Sequence, residues 1–286
     1  MIVVFYSLVA DADGTRERQW IRSVRSLRQH NDGVRLVLCL YGEARAQTLA
    51  AADQAGVEVR RLGTFSDAFG DIPAHWRAAL STVPTLHKPL SLRSLAADSF
   101  DRLIYLDCDT YLFGDIADLA ARYNECDWYA REEYLDAGRL GELSRREGLV
   151  PVYPYNTGVV LFTASLVRTL ATLSDDFVWY AWRLLLGLCL WRPDLVDDGL
   201  VILVVGRSGA AERKMALPYP CDNSWVMDEI ATCLTLGRVP GLTQGLLDQA
   251  DVVQGDEYAI RSAQTIVAHY FTSREDRFMA HLGRTG

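Results

Sequence analysis

Two carboxylates one residue apart, Asp107 and Asp109, close the apolar run Arg102-Leu-Ile-Tyr-Leu-Asp107-Cys-Asp109-Thr-Tyr-Leu-Phe-Gly-Asp115. In an extended backbone residues i and i+2 point to the same side, with Cα atoms roughly 6 to 7 Å apart. Asp107 and Asp109 can then share one divalent cation while Cys108 faces the other way. Hard oxygen ligands suit magnesium or manganese, whose remaining positions are commonly filled by water and substrate phosphates. Between a buried strand and a second apolar piece, two uncompensated carboxylates would be costly, which favours a bound cation.

A second Asp-x-Asp, Asp11-Ala-Asp13, stands just before a helical pattern and reads first as a turn or N-cap. With Gly14 and Thr15 it also resembles the first motif of haloacid dehalogenase-type phosphohydrolases, in which the first aspartate is a nucleophile and the second an acid/base. Arg16 stands where that motif carries an apolar residue, and the downstream lysines are Lys88 and Lys214 alone.

The elements that must position these residues are legible in the apolar periodicity. Residues 2–9 form a run suited to a buried strand, and Trp20, Ile21, Val24 and Leu27 carry helical spacing within 15–29. The pattern recurs as a strand over 34–41, a helix over about 43–55 and a short strand over 57–60. This is the order of parallel βαβ units, an α/β architecture with helices on both sheet faces. Ligands of such sheets bind beyond the carboxyl ends of the strands, where the aspartate pair falls. Residues 64–87 lack periodicity; a helix over 89–97 leads into the 103–106 strand. Asp115 is placed to cap a helix beginning Ile-Ala-Asp-Leu. A charged helix is expected over 136–148, a strand over 157–162, then a helix-rich stretch to about 204, with short strands and turns beyond. Without repeats or a linker, one domain is expected over 1–286, its nucleotide-binding part about 1–125 and its acceptor side about 126–286.

The 286 residues are 50% hydrophobic and carry a formal net charge of -8, which argues against a broad grip on nucleic acid and for a small-molecule partner. The six cysteines are scattered without a C-x-x-C pair and read as buried thiols. The sequence enters Ile-Val-Val-Phe with no basic region or cleavage site before it, so a cytoplasmic location is expected. The apolar stretch 177–191 is interrupted by Arg183 and is shorter than a span of about 20 residues. It reads as a buried helix in preference to a peripheral membrane contact.

Taken in order, Lys88-Pro89, Phe100-Asp-Arg-Leu-Ile-Tyr-Leu-Asp107-Cys-Asp109, Asn156-Thr-Gly158, Asp197-Asp198 and His269-Tyr270 resemble the GT-A glycosyltransferases, in particular glycosyltransferase family 8 and related sugar-nucleotide transferases. The resemblance runs through most of residues 1–270. It implies a Rossmann-like, mainly parallel sheet and transfer of a hexose from a nucleotide-diphosphate sugar, with a uridine nucleotide expected, to a hydroxyl of a glycan, lipid or small molecule. It makes Asp107, Asp109 and His269 the ligands of Mn2+ or Mg2+, with an imidazole tilting the preference toward manganese. Lys88 or Arg93 takes the place of a basic residue near the donor phosphates, and Tyr6-Ser7 the place where base and ribose bind. Arg274 is the cation available where the family carries a lysine after a glycine. Asn156 stands where the family has an asparagine facing the sugar, and Asp197-Asp198 parallels an Asp-Gln pair beside the reacting sugar. Asp198 in place of glutamine is compatible with a base that inverts or a carboxylate that supports front-face retention, and the family pattern favours retention. A GT-A domain that binds a sugar nucleotide or glycan without turnover is the remaining alternative.

Overall fold

The computed structural model describes residues 1–63, 87–132, 155–172, 200–205, 212–217, 239 and 241–285. Asp197, Asp198 and the segments 136–148 and 177–191 lie outside them.

The chain opens as expected with alternating strands and helices: β1 (Ile2–Val9), α1 (Thr15–His30), β2 (Arg35–Tyr41), α2 (Ala46–Gln54) and β3 (Val57–Arg61). Next come α3 (His87–Leu95), β4 (Arg102–Leu106), β5 (Thr110–Leu112), α4 (Ile116–Arg122), β6 (Trp128–Glu132), β7 (Tyr155–Thr163) and α5 (Ala164–Thr172). The remainder holds β8 (Leu200–Val205), β9 (Glu212–Leu217), β10 (Gln244–Leu246), β11 (Val252–Gln254), β12 (Val267–His269) and α6 (Glu275–Thr285).

Seven strands form the main sheet in the order β10-β6-β7-β4-β1-β2-β3. β3, β2, β1 and β4 run parallel, and β7 is antiparallel to both β4 and β6. A smaller sheet, β11-β12-β5, sets β12 antiparallel to β5. Because β7 reverses direction, its first residues lie beside the carboxyl end of β4.

Strand alternation explains the two-faced core. Val3 and Phe5 pack with Leu92 and Leu95 of α3 and Val167 and Leu170 of α5, while Val4, Tyr6 and Leu8 pack with Trp20, Val24 and Leu27 of α1. Trp20, Val24 and Leu27 are wholly buried at i, i+4 and i+7, and each contributes on the order of 1.5–3 kcal/mol. Asp115 caps α4 as expected, its side chain accepting from the Ala117 amide at 2.8 Å.

Two expectations are corrected. Residues 200–204 belong not to a helix but to β8, which pairs antiparallel with β9; the run Leu200-Val-Ile-Leu-Val is apolar throughout, and its period does not separate the two states. The 43–55 helix begins only at Ala46, because the buried carboxylate of Glu17 takes the Arg45 amide at 2.7 Å and the Thr48 hydroxyl at 2.9 Å. Among the described residues no helix is long and apolar enough to cross a membrane.

Candidate metal centre

β4 ends at Leu106, and Asp107 to Asp109 form a turn rather than an extension of the strand. The Thr110 hydroxyl closes it by donating to the Asp107 carbonyl at 2.8 Å. The carboxylates converge all the same, since each end of the turn is fixed from outside. The Asp107 amide donates to the Gly158 carbonyl at 2.8 Å, and the Tyr270 amide to the Asp109 carbonyl at 3.1 Å. Cys108 points away, its sulfur 4.0 Å from the Ser7 carbonyl. Burial, then the two neighbouring carboxylates, push its thiol pKa up, so Cys108 stays protonated beneath the site.

β12 delivers the third group. His269 is 5% exposed, and its Nε2 lies 3.3 Å from Asp109 Oδ1 and 3.7 Å from Asp107 Oδ2. One ligand atom from each of Asp107, Asp109 and His269 falls within 4.8 Å of the others. Neighbouring ligands of an octahedral ion with bonds of about 2.1 Å stand about 3 Å apart, so two hard oxygens and one imidazole nitrogen at these spacings suit a divalent cation. Among the described residues this is the one such group.

Each ligand is held by neighbours. Asp107 receives the Tyr105 hydroxyl and the Lys88 ammonium, the latter at 3.2 Å. Lys88, 8% exposed, also reaches the Thr157 hydroxyl at 3.1 Å and lies over the Tyr105 ring. Asp109 accepts from the Thr272 hydroxyl at 3.0 Å. Burial works to raise the Asp109 pKa, but the charge and hydrogen bond of His269 and the Thr272 hydroxyl outweigh it and hold the group at about 2. The reciprocal effect acts on His269: burial alone would lower its pKa, and the charge of Asp109 overcomes this and raises it.

The imidazole sits in a shaped slot. A Cβ on Gly158 would lie 2.2 Å from its ring atoms, so only glycine leaves room for it at this position of β7. The Asn156 side-chain oxygen lies 3.1 Å from Nδ1, and the Phe271 ring meets the imidazole edge-on at 4.7 Å between centroids. Phe271 has φ of 58°, a left-handed backbone that costs a bulky residue about 1–3 kcal/mol.

The structure therefore brings together Asp107, Asp109, His269, Lys88 and Asn156. Tyr6 lies elsewhere: its side chain is wholly buried against α1, with its hydroxyl 2.9 Å from that of Ser23 and its ring edge-on to Trp20. Ser7, 3% exposed, shares a hydrogen bond with Ser91 of α3 at 2.6 Å. Arg93 stands half-buried on α3 near Tyr41. Arg274 is paired with Asp256 beside the Phe271 ring. Asp11 and Asp13 tie down the start of α1, accepting from the amides of Arg16 at 3.1 Å and Thr15 at 2.9 Å. That is the turn role their sequence context suggests. Sequence reasoning missed Tyr105, Thr157 and Thr272. Tyr105 stands two residues before Asp107, within reach of its carboxylate, which marks it in the sequence; no local signal marks Thr272.

No family model matches the sequence, and no curated protein matches it. Solved structures do match. The galactosyltransferase LgtC, in complex with donor and acceptor sugar analogs, shares 14% identity over 94% of this chain and 87% of its own, with a TM-score of 0.53. An active-site mutant of LgtC gives 15% identity, the same coverage and a TM-score of 0.54. The fold is GT-A. Mouse xyloside xylosyltransferase 1 in its apo form gives 11% identity over 95% of this chain and 97% of its own, with a TM-score of 0.51. The carboxylate turn thus follows a strand of the main sheet, and His269 ends a strand of the smaller one.

Proposed function

We propose that this protein is a metal-dependent glycosyltransferase that moves a hexose from a nucleotide-diphosphate sugar, a UDP-sugar first, to a hydroxyl acceptor. The observation that carries the reading is the convergence of Asp107, Asp109 and His269 within 4.8 Å in a GT-A fold. When bound there, Mn2+ or Mg2+ would supply the positive charge that stabilises a departing nucleotide diphosphate. Asp107 and Asp109 hold the cation through oxygen, and His269 completes the set through Nε2 in its neutral form. Lys88 offsets one of the two carboxylate charges in the metal-free state and keeps Asp107 in place. The backbone of the turn, bonded to Gly158 and Tyr270, keeps both carboxylates aimed at one point. Asp198, with Asp197, is proposed to act beside the reacting sugar, where a carboxylate supports retention of the anomeric configuration.

Calorimetry with Mn2+ and UDP on wild type, Asp107→Ala and Asp109→Ala tests the metal centre. Metal-dependent nucleotide binding should vanish in both variants while the circular dichroism stays that of the wild type. Unchanged affinity in both would sink the proposal. Incubating the wild type with Mn2+ and a panel of sugar nucleotides should give slow donor hydrolysis; tight binding without hydrolysis or transfer would assign the domain to binding alone.

A further inference from the structure

We infer that Asn156 is a positioning residue for His269, and that its side-chain oxygen, by taking the Nδ1 proton, turns Nε2 toward the carboxylate pair as the metal-facing atom. The resemblance in sequence would put this asparagine against the sugar. The geometry gives it a further task, one that rests on the metal-centre reading above.

A backbone amide can only donate, and the Gly158 amide lies 2.9 Å from the Asn156 side-chain atom assigned as Oδ1. That atom must therefore be the carbonyl oxygen, which removes the usual ambiguity over which way an asparagine amide points. His269 Nδ1 approaches the same oxygen at 3.1 Å. Two lone pairs cannot share that contact favourably, so Nδ1 carries the hydrogen and donates it. A cation takes the neutral imidazole, which has one N–H; with that hydrogen on Nδ1, the lone pair offered to the metal is on Nε2, the atom 3.3 Å from Asp109 and 3.7 Å from Asp107. Metal-bound histidines regularly have their second nitrogen bonded to an oxygen acceptor, which fixes the ring and raises its basicity.

Asn156 is suited to the task. It is 3% exposed, so water does not compete for its oxygen. It lies on β7 within two residues of Gly158, whose missing Cβ leaves the space that the imidazole fills. The amide that anchors the asparagine and the space that admits the ring thus come from one glycine. The segment Asn156-Thr-Gly158 also supplies Thr157, which holds Lys88 against Asp107. Ligands donated by a turn and by a strand far along the chain are in this way aligned by three consecutive residues.

The test uses the full chain and two readouts, neither of which is transfer activity. In imidazole-tuned 15N NMR of the metal-free protein, the Nδ1 proton of His269 should be visible and slow to exchange in the wild type and in Asn156→Asp, which keeps an acceptor oxygen. It should be lost in Asn156→Ala. In calorimetry with Mn2+ alone, Asn156→Ala should bind about 10-fold or more weakly. Asn156→Asp should bind at least as tightly as the wild type, since a carboxylate is the stronger acceptor. If Asn156→Ala does not fold, the wild-type proton and the Asn156→Asp affinity still decide: no protected Nδ1 proton in the wild type, or an Asp variant that binds Mn2+ as weakly as His269→Ala, overturns the assignment. An unchanged Nδ1 proton in Asn156→Ala, with wild-type Mn2+ affinity, overturns it as well. Failure of the wild type to bind Mn2+ at all would instead refute the metal centre, an outcome separate from the metal-free NMR result.

Discussion

Gly158→Ala places one methyl group where the structure has no room for it. The added Cβ would sit 2.2 Å from Cε1 and Nδ1 of His269 and 2.7 Å from Nε2. Non-bonded carbon atoms settle at about 3.5–4.0 Å, so the ring must retreat by more than about 1 Å or the strand must bend. Neither is easy, because β7 is hydrogen-bonded on both sides, to β4 and β6, and the ring is held by Asn156, Asp109 and Phe271. In an unobstructed strand the same substitution would stabilise by about 0.5–1 kcal/mol through reduced backbone entropy of the unfolded chain. Overpacking a filled site costs about 1–3 kcal/mol, so the steric effect should win and leave the variant up to about 2.5 kcal/mol less stable. The larger consequence is for the cation. A ring displaced by about 1 Å moves Nε2 out of its placement 3.3 Å from Asp109 and away from the point the carboxylates share. Calorimetry with Mn2+ should show a loss of about 10-fold or more, and denaturant unfolding of the metal-free protein a modest loss of stability. A variant that binds Mn2+ as tightly as the wild type and is more stable would refute the reasoning, because it would mean that the imidazole does not occupy the space against Gly158.

Other perturbations separate the contributions of single groups. The His269 pKa is raised in the folded metal-free protein, so its pairing with Asp109 stabilises fully below the unfolded value of about 6.5 and is lost as pH rises through the folded value. The metal-free melting temperature should thus fall relative to that of His269→Gln as pH rises above about 6.5, while added Mn2+, which takes the neutral imidazole, should stabilise most at the higher pH; a pH-independent difference would contradict this. Lys88→Met removes the cation from Asp107, and should cost the metal-free protein about 1–3 kcal/mol in urea unfolding, less than a fully buried pair because Asp107 is 22% exposed. Its Mn2+ affinity should hold or rise, since a competing positive charge has gone; a sharp fall would make Lys88 more than a counter-charge. Asp115→Ala deletes the cap of α4 and should cost about 1 kcal/mol while leaving Mn2+ affinity at the wild-type value, a control measurable by the same two assays.

How much of this was legible beforehand follows from how local each cause is. The β1-α1-β2-α2-β3 succession could be read because burial on two faces writes itself as apolar runs and i, i+4, i+7 spacing within single elements. Asp107 and Asp109 were legible because two carboxylates at the end of an apolar strand are costly without a counter-charge. Their convergence came by another route than i, i+2 alternation, through a turn whose ends are fixed by Gly158 and Tyr270, residues far along the chain. Tyr6 shows the same limit from the other side. Alternation within a strand says that Tyr6 and Ser7 face opposite ways, but which face meets α1 and which meets α3 depends on how the helices cross the sheet. Asn156 is the sharpest case. Its bond to Gly158 is local and consistent with a turn residue, whereas its bond to His269 joins residues 113 positions apart. A side chain's type and neighbours reveal what it can donate or accept, and only the fold decides which distant group comes to it. The glycine two residues later was the overlooked signal: a strand that gives up a side chain beside a polar residue is making room for something, and here that is the ring whose nitrogen the asparagine holds.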